Sequence, residues 1–328
     1  MIRSIFKKQR IENKNMVTSD KNKRPHILTI LMKYKAVIST LFTTIVISIS
    51  YSSFSNLASK SPLTSSSSSV SIPNNPMGHP DSQERISHFK ETAKSFSPIT
   101  DKIGGTSEHR YHNMYGQFLL PFAANKPDMK FLEIGLGCNM AYGPGASVQI
   151  WKKLFPLAEL WEAEYVEECV ETAEKKNQLD DIHVLVGDQA DKSVLDSWIE
   201  KSGGKFDIII DDGGHHNCQI HNSFQKLWPQ LNPGGYYFIE DLHVSLAQAY
   251  IHKKEEPHLK GYLHEDCDNN IVMSKVISQW QQQLIFKTLG HGVKYEHKLP
   301  PDMLFVHCQA EACVLGKRKD EVNDPLPR

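Results

Sequence analysis

From Met129 onward, short apolar runs that read as strands alternate with amphipathic stretches that read as helices, and this alternation limits the fold more than any other feature. The spacing predicts strands over Met129–Ile134, Glu159–Glu164, His183–Val186, Phe206–Ile210 and Tyr236–Ile239. Helices are predicted between and after them, over Ala146–Leu154, Val166–Lys176, Val194–Lys201 and Gln219–Leu231. A strand that is apolar at nearly every position, such as Ile208-Ile209-Ile210, is buried on both faces, which specifies a parallel sheet covered by helices on each side. The fold class is therefore α/β, Rossmann-like and doubly wound. Val272–Leu289 reads as a further helix, and strands near Val293 and over Leu304–Gly316 close the domain as a C-terminal antiparallel hairpin.

Open sheets of this class bind ligands just beyond the carboxyl ends of their strands. There the sequence places glycines, acids and amides. "FLEIGLG" ends the first strand in Glu133 and follows it with Gly135 and Gly137, where missing side chains let a ligand approach the backbone. A nicotinamide fingerprint requires a third glycine where Met140 stands, and no GxxxxGK[ST] phosphate loop is present. The second strand ends in Glu162 and Glu164, an acid placed to accept from ribose hydroxyls, and "VGDQAD" puts Asp188 and Gln189 after the third, suited to an adenine edge. Together with Asp211 after the fourth strand, this constellation fits S-adenosylmethionine.

The densest cluster is "FDIIIDDGGHHNCQIHNSF". Asp211 and Asp212 follow the fourth strand, and Glu240 and Asp241 follow the fifth. Carboxylates converging from neighbouring strands suit a hard cation such as Mg²⁺, with Asp212, Glu240 and Asp241 as its ligands. His215 then stands where a neutral imidazole can take the proton of a hydroxyl acidified by the cation. A softer alternative uses His215, His216, Cys218 and His221 around zinc.

These stretches, with "TDKIGGTSEHRYHNMYGQFLLPF", "GASVQIWKKLFP" and "NPGGYYFIEDLH", resemble the macrocin and mycinamicin type of S-adenosylmethionine-dependent sugar O-methyltransferases, and more distantly the cephalosporin-hydroxylase-like group. The resemblance spans about Asp81 to Lys319. It implies a seven-stranded class I methyltransferase sheet, Mg²⁺ dependence, methyl transfer to a hydroxyl of a sugar or glycosylated small molecule, and His215 as general base. By the same resemblance Asp212, Glu240 and Asp241 look like metal ligands, and "YHNMY", Tyr111 to Tyr115, looks like part of a lid or subunit contact. Gly214 stands where a Ser is common, and "VSLAQAY" replaces an aromatic-rich segment, so a macrolide acceptor does not carry over. The alternatives are an iron-dependent oxygenase built on the same acids and histidines, and a non-catalytic binding module on a stem.

Charge divides the chain. Ten basic residues and two acidic ones precede Ala36, which leaves 27 basic against 36 acidic residues of the totals 37 and 38. An acidic domain of this kind is a poor partner for nucleic acid. The basic head, 1–35, is followed by an uncharged span, 36–57, that reads as a transmembrane signal anchor with a cytoplasmic amino end, and by a Ser- and Pro-rich stem, 58–80. Residues 81–320 form the methyltransferase domain and 321–328 a tail. This layout predicts a single-pass membrane protein with a luminal catalytic domain in the endoplasmic reticulum or Golgi. Secretion after signal cleavage is the competing reading. Six cysteines show no CxxC pair; Cys308 and Cys313 face each other across the predicted hairpin as a disulfide or as two free thiols. A homo-oligomer is left open.

Overall fold

A computed structural model of the chain describes residues 76–104, 109–247, 250, 264–268, 270–286 and 292–319. The predicted head, anchor and most of the stem lie outside the described residues. Among the described residues no helix is long and apolar enough to cross a membrane.

Seven strands form one sheet: β1 Lys130–Ile134, β2 Glu159–Glu164, β3 His183–Val186, β4 Phe206–Asp211, β5 Leu231–Ile239, β6 Met303–Cys308 and β7 Cys313–Lys317. Their order is β3-β2-β1-β4-β5-β7-β6. The first five run parallel, while β7 inserts antiparallel between β5 and β6. This is the class I methyltransferase arrangement that the sequence resemblance implies. Order reverses beside β1, so β1 and β4 lie side by side at the topological switch point, with their carboxyl ends together.

The helices are α1 Ser82–Lys94, a composite α2, then α3 Ala146–Leu154, α4 Glu167–Lys175, α5 Lys192–Ser202, α6 Asn217–Leu227 and α7 Met273–Ile285. α2 runs through α-helical His112–Met114, a π-helical turn Tyr115–Leu119 and α-helical Leu120–Asn125. Period-two alternation along the central strands sends side chains into two cores. Leu132, Ile209 and Tyr237 point to a core shared with Trp198 of α5, Phe224 of α6 and Trp280 of α7. Phe131, Ile208, Ile210 and Phe238 point to the opposite core, shared with Phe89 of α1, Tyr115 of α2 and Trp151 of α3.

Three expectations change here. The region of Val293 is not a strand; Val293 is exposed, and the closing hairpin is β6 and β7 alone. Helix α6 stops at Leu227 because Pro229 cannot continue it, so a 3-10 turn, Trp228–Gln230, leads straight into a longer β5. The "YHNMY" element does not present these side chains to a partner subunit: Tyr111, Met114 and Tyr115 are buried in the second core. Ile209, fully buried at the middle of the central strand, tests the architecture. Ile209→Ala is expected to cost about 2–5 kcal/mol, read as a lower urea unfolding midpoint.

Candidate active site

A cavity of about 500 Å³ opens at the carboxyl ends of β1, β2 and β4. The turn after β1 forms its floor. Gly135 and Gly137 have φ of +111° and +80°, and a Cβ on Gly135 would lie 2.1 Å from the carbonyl oxygen of Asp212. No other residue fits there, because the turn packs directly on the end of β4. A disulfide from Cys138 to Cys169 fastens this turn to α4.

Glu164 stands in the cavity wall with both oxygens oriented by backbone: Oε1 accepts from Tyr165 N at 2.8 Å and Val166 N at 3.0 Å, and Oε2 from Leu136 N at 3.2 Å. Gly135, Gly137 and Gln189 also line the cavity. Gln189 clamps its own wall, accepting from Gly214 N at 2.9 Å and donating to Asp211 Oδ1 at 3.0 Å. Three other residues expected to touch the cofactor do other work. Asp188 accepts from Ala190 N, and the wall at that point is Gly187. Asp211, 1% exposed, accepts from Ser223, Tyr237 and Gln189, because as the last residue of β4 it still points into the sheet's core side. Glu133 is fully buried and accepts from Ser147 Oγ at 2.6 Å and Trp151 Nε1 at 2.7 Å, both on α3.

Behind the cavity lies a buried acid cluster that the sequence reading did not assemble. Lys102, in the 3-10 turn Asp101–Ile103, places Nζ 2.6 Å from Asp212 Oδ2, 2.7 Å from Glu240 Oε2 and 3.2 Å from Glu133 Oε1. Burial works to discharge it, but Asp212, Glu240 and Glu133 outweigh burial and hold the ammonium well above its ordinary range. Burial, reinforced by Asp212, raises Glu240; burial, reinforced by Glu133, raises Glu162. Glu240 also accepts from the Tyr115 hydroxyl, so both its oxygens are taken. Glu240 thus faces Lys102 and Tyr115 in this structure and is not among the residues whose ligand atoms converge on the open side.

On the open side, Asp212, His215 and Asp241 each bring a ligand atom within 4.8 Å of the others. Two carboxylates and an imidazole at that spacing fit a single hard divalent cation with room left for oxygen ligands. His215 and Asp241 have φ of +58° and +54° although neither is glycine, and non-glycine residues held there cluster at functional sites. His215 Nε2 is 3.2 Å from Asp241 Oδ2, and the Tyr111 hydroxyl donates to Asp241 Oδ1 at 2.7 Å. Burial opposes ionisation of Asp241, yet His215, Tyr111, His109 and Lys102 together hold its carboxyl below the usual range. His109 stands on the other side of Asp241, its Nδ1 2.6 Å from Glu311 Oε2 at the tip of the β6–β7 hairpin. A disulfide between Cys308 and Cys313 closes that tip. The zinc alternative fails at Cys218, which is bonded to Cys267.

No family model matches the chain. It is similar to mycinamicin VI 2''-O-methyltransferase of Micromonospora griseorubida, 36% identical over 118 residues, which are 35% of this chain and 27% of that protein. A second relative is the 8-demethyl-8-alpha-L-rhamnosyl tetracenomycin-C 2'-O-methyltransferase of Streptomyces olivaceus, 33% identical over 145 residues, 43% of this chain and 35% of the relative. A third, L-olivosyl-oleandolide 3-O-methyltransferase of Streptomyces antibioticus, is 31% identical over 152 residues, 46% and 36% of the two chains. The aligned stretches thus span about a quarter to a third of these relatives' own length. Among solved structures, the MycE methyltransferase of the mycinamycin pathway, in complex with Mg and SAH, aligns over 75% of this chain and 57% of its own, at 24% identity and a TM-score of 0.49. The relatives are the mycinamicin and macrocin group that the sequence motifs resemble.

The raised acids carry a stability test. Folding takes up a proton on Glu162 whenever the pH exceeds its unfolded value of about 4.3, so its burial costs stability that grows as the pH rises. Glu162→Gln, a neutral isostere, should therefore melt higher than the native chain at about pH 7, with the difference vanishing below about pH 3 where both states are protonated.

Proposed function

We propose that the chain is an S-adenosylmethionine-dependent, Mg²⁺-assisted O-methyltransferase acting on a hydroxyl of a sugar or glycosylated small molecule. The observation that carries this reading is the adjacency of two half-sites in one cavity: the Gly135–Glu164 cofactor wall and the Asp212–His215–Asp241 cluster. The relatives' names supply the substrate class, since each acts on a hydroxyl of a sugar borne by a small molecule.

When bound, Mg²⁺ would supply charge that acidifies an acceptor hydroxyl, and Asp212 and Asp241 would hold it beside His215. Glu164 would accept from the cofactor's ribose, and the backbone of Gly135 to Gly137 would border the methionine moiety. His215, fixed in its strained turn, would take the hydroxyl proton as the oxygen bonds to the methyl carbon and the carbon–sulfur bond breaks, leaving S-adenosylhomocysteine. Positioning and charge placement then do most of the catalysis. Two carboxylates with one histidine form a harder donor set than the two-histidine, one-carboxylate triad of non-haem iron oxygenases, which favours the transferase over the oxygenase reading.

The pairing of all six cysteines as Cys138–Cys169, Cys218–Cys267 and Cys308–Cys313 supports an oxidising compartment. With the basic head and the 36–57 span, it favours a membrane-anchored protein with a luminal catalytic domain.

Isothermal titration of the whole chain with S-adenosylhomocysteine tests the cofactor half: micromolar binding, weakened at least tenfold in Glu164→Ala, is expected, and no binding to the folded chain overturns the reading. With an acceptor in hand, His215→Gln should lower turnover by about 10²–10⁴-fold while leaving cofactor affinity within threefold. EDTA should remove activity, and Mg²⁺ should restore it.

A further inference from the structure

Eleven residues, Gly135 to Gly145, join β1 to α3 without regular secondary structure, against about two to six in most strand-to-helix connections of such folds. Besides Gly135 and Gly137 this loop contains Gly143 and Gly145, both also at positive φ, so it has little conformational preference of its own. Its first two residues are held to β2: Gly135 N donates to Ala163 O at 2.8 Å and Leu136 N to Glu164 Oε2 at 3.2 Å. From Gly137 to Gly143 the backbone-to-backbone hydrogen bonds stay inside the loop, Met140 N donating to Gly137 O and Gly143 N to Met140 O. The covalent fastening of this stretch is the bond from Cys138, which lines the cavity, to Cys169 in the first turn of α4, which does not.

We propose that the Cys138–Cys169 disulfide is a positioning element of the cofactor wall, and that the chain binds an S-adenosyl cofactor more weakly when this pair is reduced. The inference rests on the cofactor reading given above. That wall is made of two irregular segments, the glycine loop on one side and the Glu164-Tyr165-Val166 turn into α4 on the other. Glu164 Oε1 accepts from Tyr165 N and Val166 N, so its carboxylate moves with the start of α4. The disulfide makes the glycine loop move with the same helix end, which keeps Leu136 N and Gly137 in register with Glu164. Without the link, binding must remove the loop's added freedom, and a wall ordered only on binding holds a ligand less tightly than one ordered in advance. Affinity and oxidation are thereby linked. The factor by which the disulfide tightens binding is the factor by which a bound cofactor disfavours reduction of the pair.

Two measurements on the whole chain, with S-adenosylhomocysteine as the probe, test this. In isothermal titration, Cys169→Ala and Cys138→Ala should each weaken binding about tenfold, and the double variant should lose no more than either single one. Binding to Cys169→Ala within about threefold of native overturns the inference. A loss confined to Cys138→Ala does the same, because it assigns the effect to a side chain in the cavity and not to the link. The second measurement needs no variant. The native chain is equilibrated with dithiothreitol and its cyclic disulfide, which exchange two electrons and two protons with each protein disulfide, and every pair is mapped by mass spectrometry after acid quenching. Saturating S-adenosylhomocysteine should shift the reduced-to-oxidised ratio of Cys138 and Cys169 about tenfold toward the disulfide, and leave that of Cys308 and Cys313, outside the cavity, unchanged. An equal ratio for Cys138 and Cys169 with and without the ligand overturns the inference. No binding of S-adenosylhomocysteine to the folded native chain overturns the cofactor reading itself, together with what rests on it.

Discussion

Acids buried at the carboxyl ends of a parallel sheet repel one another and lose their hydration, and one ammonium answers them in this protein. Glu133, Asp212 and Glu240 come from the ends of three different strands, β1, β4 and β5, and meet at Lys102. Removing one partner of such a group leaves the others uncompensated in a low-dielectric site, which is far costlier than any surface pair. The rest of the site depends on this group being complete. Asp212 is held by it from behind, Asp212 stands with His215 and Asp241 in the open cluster in front, and the Gly135 turn packs on the Asp212 carbonyl.

Much of the frame could be read in the residues, because period-two apolar runs and glycine turns are local signals. The parallel strands, their helices and the glycine turn fall close to where alternation and spacing place them, except that α6 ends at Leu227 and β5 begins at Leu231. The functional roles of adjacent acids could not be read so directly. Asp211 and Asp212 are chemically identical neighbours, yet the first belongs to the strand and feeds Ser223 and Tyr237, while the second is the first residue free of it. Only strand register separates them. Glu133 illustrates the same point: its in-strand position aims it at Ser147 and Trp151 of α3 and not at a ligand.

Lys102, His109 and Glu311 were missed for a different reason. Each is an ordinary polar residue in an irregular segment, and the partners that reveal it, Asp212 and Glu240 for Lys102 and Glu311 for His109, are more than 100 positions away in the chain. Lys102 does sit in the "TDK" of a quoted motif, but nothing local to it says that its charge is buried. The positive φ values of His215, Asp241 and Glu311 mark the same site from the backbone side. Three strained residues meeting at one carboxylate pair indicate that packing has overruled local preference there.

The long sequence separation within the acid group also sets when the site can exist. Lys102 leaves the ribosome 110 residues before Asp212 and 138 before Glu240, and Glu311, which steadies His109, comes later still. Until those strands arrive, the lysine of the amino-terminal turn has only Glu133 of β1 as its partner, and the apolar face of α2 has no β5 or β7 to cover it. A nascent chain therefore cannot assemble this site piecemeal. The contacts join residues far apart in the chain, so the site is complete only once the last hairpin is in place.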